Sequence, residues 1–332
     1  MLNVAMIGSG YIGDCHISAY QALDRELVRL VAIVDANPAS GMRAAEKAGC
    51  YYYETLEQAV EHCPVDIVDI CVPTFLHEMF TLKAAALGKH VLCEKPVTLS
   101  LESFDRMYGA CKAAGVRFMT GQIVRFTPEY REFARHIQDG QLGKIHMLSE
   151  KRLCQHPAWT TWHRDPQKSG GGLFDLNTHD IDYIYSLFGI PQSVFAVGWK
   201  NETGCWNHVT TLLKWPDKQA VCETSLEMIG DYPFSVGMRA TGDSGTLDYS
   251  SAAGVNIKDG EALSSFRYYP ADGAPEEVHP EQYDPFRMEI EEFVLSVKNG
   301  TEVPIPPEQT REVLRILLAT KEALETGAVV TL

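Results

Sequence analysis

The chain is short of positive charge. Its 29 Lys and Arg stand against 44 Asp and Glu, a formal net charge of -15, and no basic cluster gathers along it. Nucleic acids and anionic membranes are held by clustered Lys and Arg, so both are excluded as partners and a small molecule is expected instead. Long apolar runs are missing too: nothing approaches the roughly 20 residues of a membrane-spanning helix. Met1-Leu2-Asn3 runs into an apolar strand without the basic and small-residue flanks of an export signal, so an unexported chain is expected. The nine cysteines form no C-x-x-C pair and several lie in apolar, strand-like runs. They read as reduced core thiols and favour a cytoplasmic location. There is no H-E-x-x-H, no paired Cys/His set and no G-x-S-x-G elbow, so neither a metal centre nor a serine nucleophile is expected. Internal repeats and low-complexity linkers are also absent.

What is present begins at the amino end. The chain has 332 residues, more than one core comfortably accommodates, and two domains are expected. Leu2 to Ile7 reads as a short buried strand that delivers Gly8-Ser9-Gly10-Tyr11-Ile12-Gly13 into a helix. The first glycine makes the turn, the second lets backbone N–H groups reach a pyrophosphate, and the third lets helix and strand pack closely. The helix N-terminus adds its positive dipole end. A second apolar strand, Leu27 to Val34, ends in Asp35, where a carboxylate accepts ribose hydroxyls and repels a 2′-phosphate. The cofactor is therefore expected to be NAD rather than NADP, since Ala36, Asn37 and Pro38 offer no arginine for that phosphate.

Strands and helices go on alternating. Asp66 to Val72 is a buried strand opening into Pro73-Thr74, and His90 to Cys93 is another, ending in Glu94-Lys95-Pro96. A lysine at the carboxyl end of a parallel strand is aimed into the ligand crevice, where it can stabilise an alkoxide. The competing reading is a solvated surface lysine. With Arg117 to Thr120 the sheet reaches about six strands, a doubly wound α/β domain over residues 1–121. Cofactor-lining candidates are Gly8, Gly10, Tyr11, Ile12, Gly13, Asp35, Pro73, Thr74, His77, Glu94, Lys95 and Gln122.

Residues 122–332 read as an α+β domain with a large open, mostly antiparallel sheet, formed by strands near 193–197, 209–215, 219–228, 234–241, 246–249 and 254–258. Its free face is expected to pack on a second subunit, as a homodimer or homotetramer. Gly170-Gly171-Gly172 permits a tight turn and close approach to a ligand, and a helix is expected to begin near Leu173. On it Asp175 and His179 would be i and i+4 neighbours, an acid/base couple in which the carboxylate orients the imidazole. The plainer alternative is Asp175 as a helix cap with His179 half buried. Trp159, Trp162, His163 and Arg164 lie just before, and two tryptophans near polar groups are a plausible wall for a sugar ring, though ordinary packing explains them equally.

With these residues in place the chain resembles the Gfo/Idh/MocA oxidoreductases, the family of glucose–fructose oxidoreductase and inositol 2-dehydrogenase. The matching motifs are Gly8-x-Gly10-x-x-Gly13-x-x-His16, Glu94-Lys95-Pro96, Arg125-Phe126-x-Pro128-x-Tyr130, the Gly170 triplet with Asp175, His179 and Asp182, and Gly242-x-x-Gly245. The resemblance implies that Lys95, Asp175 and His179 are catalytic, that a cis peptide bond precedes Pro96, and that subunits associate through the open sheet. Arg125, Trp162 and His163 join the three catalytic candidates as substrate-binding candidates. Asn177 departs from the small residue common there, which would alter a substrate contact. The expected activity is NAD-dependent oxidation of a secondary hydroxyl of a sugar, glycoside or cyclitol. The alternative is a glycosidase that keeps NAD bound and oxidises the ring only transiently; a non-catalytic nicotinamide sensor would lack the lysine or the histidine.

Overall fold

Leu2–Ile7 (β1) is apolar at nearly every position because it is buried on both faces, as parallel strands covered by helices must be. The structure, a computed structural model, describes residues 1–156, 161–254 and 263–332. After β1 come Tyr11–Ala22 (α1), Val28–Val34 (β2), Pro38–Ala48 (α2), Tyr51–Tyr53 (β3), Leu56–His62 (α3), Ile67–Ile70 (β4), His77–Ala86 (α4), His90–Glu94 (β5), Leu101–Ala113 (α5) and Phe118–Gly121 (β6). The strands form one parallel sheet in the order β3-β2-β1-β4-β5-β6. That is the doubly wound order with its switch point between β1 and β4, where ligands lie at the carboxyl ends of strands.

Local chemistry sets the helix ends. Asn37 accepts from the Ala39 and Ser40 amides and Gly49 closes α2 in the left-handed region. Thr55 and Gln58 form a capping box on α3, and Ser100 caps α5.

The second half continues with Pro128–Gln138 (α6), Ile145–Leu153 (β7), Pro166–Ser169 (α7), Gly172–Asp175 (α8), Asn177–Phe188 (α9), Ser193–Lys200 (β8), Trp206–Lys214 (β9), Gln219–Ser225 (β10), Ser235–Gly242 (β11), Gly245–Ala252 (β12), Leu263–Pro270 (β13) and Glu276–Glu277 (β14). Two helices, Pro285–Asn299 (α10) and Pro307–Thr326 (α11), precede a last short strand, Val330–Thr331 (β15). The second sheet has nine strands in the order β14-β13-β12-β11-β7-β10-β9-β8-β15. Every neighbouring pair is antiparallel except β7 with β10. The strand expected at 254–258 falls, after Gly254, outside the described residues. β13 and β14, which sequence reading passed over, complete that edge.

Two compact units result: Met1–Phe126 with Tyr283–Arg311, and Thr127–Gln282 with Glu312–Leu332. The chain thus returns to the first unit through α10, a stretch assigned on sequence to the second domain. Asp284 caps α10 and Gly300 ends it. Its apolar stripe, Ile290, Phe293 and Val294, joins the core of Val4, Tyr20, Leu23, Leu92, Met119 and Phe126. Full burial of each such side chain contributes about 1.5–3 kcal/mol, far more than the intrinsic helix propensity of the segment. Among the described residues no helix is long and apolar enough to cross a membrane.

Candidate active site

The glycine turn after β1 is shaped by contacts only hydrogen can tolerate. Gly8 has φ +95°, and a Cβ there would overlap the Cys71 carbonyl. A Cβ at Gly13 would overlap the Gly8 carbonyl, so the third glycine packs α1 against the turn itself. Gly10 differs: a Cβ there meets nothing within 4 Å. It is the N-cap of α1, and no side chain caps the helix. The positive end of α1 is therefore left without a side-chain cap beside a backbone position with room for a ligand, the arrangement that receives a pyrophosphate. Tyr11 is 37% exposed beside it and Ile12 is half-buried.

Asp35 is drawn into the same turn. Its Oδ2 accepts from the Ser9 amide at 2.9 Å and the Ser9 hydroxyl at 2.5 Å, and Oδ1 accepts from the Asn37 amide at 2.8 Å. Ser9 is thus a site residue that motif reading left as an x, and its hydroxyl also bonds Ser40 at 2.8 Å. These residues fit a dinucleotide: uncapped amides for the pyrophosphate, and a half-buried carboxylate, held in place, for the ribose.

The remaining candidates of this unit sit lower. Thr74 and Gln122 are buried, and the Gln122 side-chain carbonyl has no hydrogen-bond partner in the structure. His77 is 1% exposed, with Nε2 2.8 Å from the Val72 carbonyl and Nδ1 3.0 Å from that of Pro96. Its ring is occupied with protein carbonyls rather than facing the crevice, and burial lowers its pKa. Glu94 is buried as well, with Oε2 accepting from the Lys95 amide at 3.1 Å. Lys95 follows β5 directly, is half-buried, and precedes a cis bond to Pro96 as the resemblance implied. Arg125 donates to Gln309 at 2.6 Å.

In the second unit the expected continuous helix from Leu173 is two pieces. α8 ends at Asp175, Leu176 breaks the run, and α9 starts at Asn177 without a side-chain cap. The cause is the glycine triplet. Gly170 and Gly171 both have positive φ, the Gly172 amide donates to Asn207 Oδ1 at 2.8 Å, and a Cβ on Gly171 would stand 2.8 Å from Cys205 Cβ. The close approach these glycines permit in the structure is to the amino end of β9. Asp175 is half-buried in the last turn of α8, and His179 lies in the first turn of α9 with 9% of its surface exposed. Asp182 is fully buried on the same helix. Trp162 and His163 lie in a short 3-10 turn with ring centroids 3.9 Å apart. Trp159 lies outside the described residues.

Asn177 does not reach a substrate. It is fully buried, and its Nδ2 donates to Cys222 Sγ at 3.1 Å and Thr224 Oγ1 at 2.7 Å. It belongs to a polar layer under α9 that sequence reasoning missed. There Arg152 pairs with Asp180 at 2.9 Å and donates to the Tyr130 hydroxyl at 2.9 Å, and Tyr183 donates to the Tyr130 carbonyl at 2.8 Å. Glu150 lies in the same layer with neither carboxyl oxygen hydrogen-bonded, and burial, reinforced by the Asp180 charge, pushes its pKa well up. The alternation of β7 carried the only signal: Glu150 and Arg152 share the parity of the apolar Leu148.

Comparison with known proteins agrees with the fold. Residues 2–122 match the family model described as an oxidoreductase family with an NAD-binding Rossmann fold, and residues 130–248 match the GFO/IDH/MocA C-terminal domain. A 2,7-anhydro-N-acetylneuraminate hydratase of Escherichia coli K12 is 31% identical over 205 residues, 60% of this chain and 53% of that one. The matched stretch spans about half the length of the first of the curated relatives. A D-xylose 1-dehydrogenase (NADP(+)) of Haloferax volcanii is 28% identical over 334 residues, 98% of each chain. In fold, the chain is similar to an aldose–aldose oxidoreductase of Caulobacter crescentus, with a TM-score of 0.87, 24% identity and coverage of 100% of this chain and 99% of that one. A fingerprint turn with an uncapped helix end, matched together with the second domain over more than half of the chain, places this protein in the Gfo/Idh/MocA family of NAD-binding oxidoreductases.

Proposed function

We propose that the protein oxidises a secondary hydroxyl of a sugar, glycoside or cyclitol to a ketone, with NAD as its cofactor. The observation that carries the reading is the turn at Gly8–Gly10, where the amino end of α1, capped by no side chain, and the tethered Asp35 together fit a dinucleotide. Gly8, Gly10 and Gly13 seat the pyrophosphate and Asp35 the ribose. When bound, the nicotinamide supplies the hydride acceptor. His179, oriented by Asp175, removes the hydroxyl proton, and Lys95 stabilises the negative charge that develops on the substrate oxygen. Arg125, Trp162 and His163 are assigned to substrate binding.

The test is to titrate NAD into the purified protein and supply a panel of sugars, glycosides and inositols in both directions. Nicotinamide reduction with at least one is expected, and none with any refutes the reading. Lys95→Ala and His179→Ala should each lower kcat by about 10²–10⁴-fold while NAD still binds.

A second reading rests on one finding: the relative from Escherichia coli is named as a hydratase, an activity without net redox change. On this reading the same residues would support transient oxidation of the ring hydroxyl by the bound cofactor, elimination of a group, addition of water across the double bond formed and return of the hydride, with no net redox change. Substrate consumption with no lasting change in nicotinamide absorbance identifies it. We also assign the outer face of the nine-stranded sheet, where Val197 and Trp199 are each 55% exposed, to self-association as a dimer or tetramer in a cytoplasmic setting. Trp199→Lys should shift the protein toward monomer in analytical ultracentrifugation.

A further inference from the structure

One buried group is used by none of this chemistry. His16 follows the glycine turn in α1, is fully buried, and has a carboxylate at each ring nitrogen: Nδ1 lies 2.8 Å from Asp69 Oδ2 on β4, and Nε2 lies 3.2 Å from Glu94 Oε1 on β5. A neutral imidazole carries one N–H and can satisfy only one of them, whereas imidazolium donates to both. Burial opposes the charge, but the Asp69 carboxylate prevails and the pKa is raised well above the ordinary value. The groups around it are Cys71, whose Sγ is 3.5 Å from Nδ1, the Phe286 ring at 5.5 Å, and the Glu289 carboxylate of α10.

Glu94, held from behind by His16, accepts with its other oxygen from the Lys95 amide at 3.1 Å. On the far side of that turn the His77 ring, kept neutral by burial, packs between the Val72 carbonyl, 2.8 Å from Nε2, and those of Pro96 and Val97, 3.0 and 3.2 Å from Nδ1, and its single N–H donates to one side. Two buried imidazoles therefore lie between the carboxyl end of β4 and the turn after β5, His16 bonded to both before Lys95 and His77 wedged between them after it. We infer that His16 and His77 are positioning residues that hold the turn Glu94–Val97, and through it the Lys95 ammonium, in place for the reaction. The inference rests on the role proposed for Lys95, and it moves His77 from lining the cofactor to bracing the loop.

The same cluster, by distance alone, could gather around a metal ion. Two ligands at about 2.1 Å on a tetrahedral ion stand about 3.4 Å apart, so the 2.8 Å between His16 and Asp69 fits a shared proton better.

Amide hydrogen exchange by mass spectrometry and steady-state kinetics on the full chain test the brace. In His16→Gln and in His77→Gln, exchange across residues 94–97 should rise at least about tenfold and kcat should fall about 10–100-fold, with the NAD dissociation constant unchanged within about threefold. In a Lys95→Ala background the His16 substitution should lower kcat no further, because groups acting as one unit are not additive. A merely structural role would instead multiply the two losses and weaken NAD binding. Should His16→Gln not fold, Glu94→Gln, which keeps the shape and removes the charge, takes its place in the same cycle. Unchanged exchange at 94–97 overturns the inference whatever the turnover. So does a stoichiometric metal that is found in the purified protein and lost with His16. A Lys95→Ala enzyme with full rate overturns instead the role proposed for Lys95, and exchange then decides the brace alone.

Discussion

Asp35 is expected to set the choice between NAD and NADP, and the isosteric change Asp35→Asn isolates its charge. In the structure the carboxylate already holds three donors, the Ser9 amide and hydroxyl on Oδ2 and the Asn37 amide on Oδ1. A carboxylate has about four lone-pair positions, which leaves one on Oδ1 for a ribose hydroxyl. A 2′-phosphate at that point brings like charge to a half-buried carboxylate. At a separation of about 5 Å and an effective dielectric near 20, unit charges repel by roughly 3 kcal/mol. That corresponds to discrimination of about 100-fold, trimmed by salt because the group is partly solvated. Asparagine keeps one acceptor for Ser9 but presents an amide donor or a single oxygen where the carboxylate presented two. The variant should therefore bind NAD about tenfold more weakly, at a cost of about 1–2 kcal/mol in lost charged hydrogen bonds, while NADP loses its repulsion. Fluorescence titration of both nucleotides at matched ionic strength gives the four constants. A wild-type preference for NAD of less than about threefold, or a preference unchanged in Asp35→Asn, refutes the argument. The relative from Haloferax volcanii that matches 98% of this chain is named for NADP(+), which makes it the natural control for the same titration.

Gly13→Ala should weaken NAD binding by more than about tenfold and destabilise the protein by about 1–3 kcal/mol, because the new methyl meets the Gly8 carbonyl rather than a side chain that can move; calorimetric titration reads the first and denaturant unfolding the second. Phe293→Ala should cost about 3–5 kcal/mol in the unfolding transition of the first unit, since the ring is fully buried in that core, and a loss under about 1 kcal/mol would show α10 not packed there. Glu150→Gln tests the polar layer. Its pKa is raised in the folded state, so the acid is most stable protonated, and the native protein loses stability as pH climbs past the unfolded value of about 4.3 toward the folded one. The variant lacks that loss and should gain on wild type by up to about 1.4 kcal/mol per pH unit across that window. A stability difference constant from acid to neutral pH in denaturant unfolding would mean that Glu150 titrates alike in the folded and unfolded states.

Much of the first unit was legible because its signals are short in sequence. The glycine turn, the strand that enters it and Asp35 at the end of the next strand all lie within the first 35 residues. Each is required by backbone sterics or by charge at one place. The alternation of buried strands with helices likewise announced a parallel sheet, and period-two patterning announced the second. What stayed hidden depends on partners distant in sequence. His16 meets Asp69 and Glu94 across 53 and 78 residues, and although a motif names His16, nothing local to it says which groups it meets. The interruption at Leu176 was unreadable because periodicity continues through it; what breaks the helix is the packing of the triplet on β9. Asn177 suggested a ligand contact by its position in a motif, yet its helix face turns it to the sheet.

The sequence by itself determined the class of each sheet, the fingerprint turn and the chemistry available in it, since hydrophobic period, glycine stereochemistry and the sign of a charge act within a few residues. Only the tertiary structure decided which groups hold those pieces still: α10 closing the first core, the two histidines behind Lys95, and the charged layer beneath α9. A buried polar group must find its partner in space, and a chain brings such partners together only by folding.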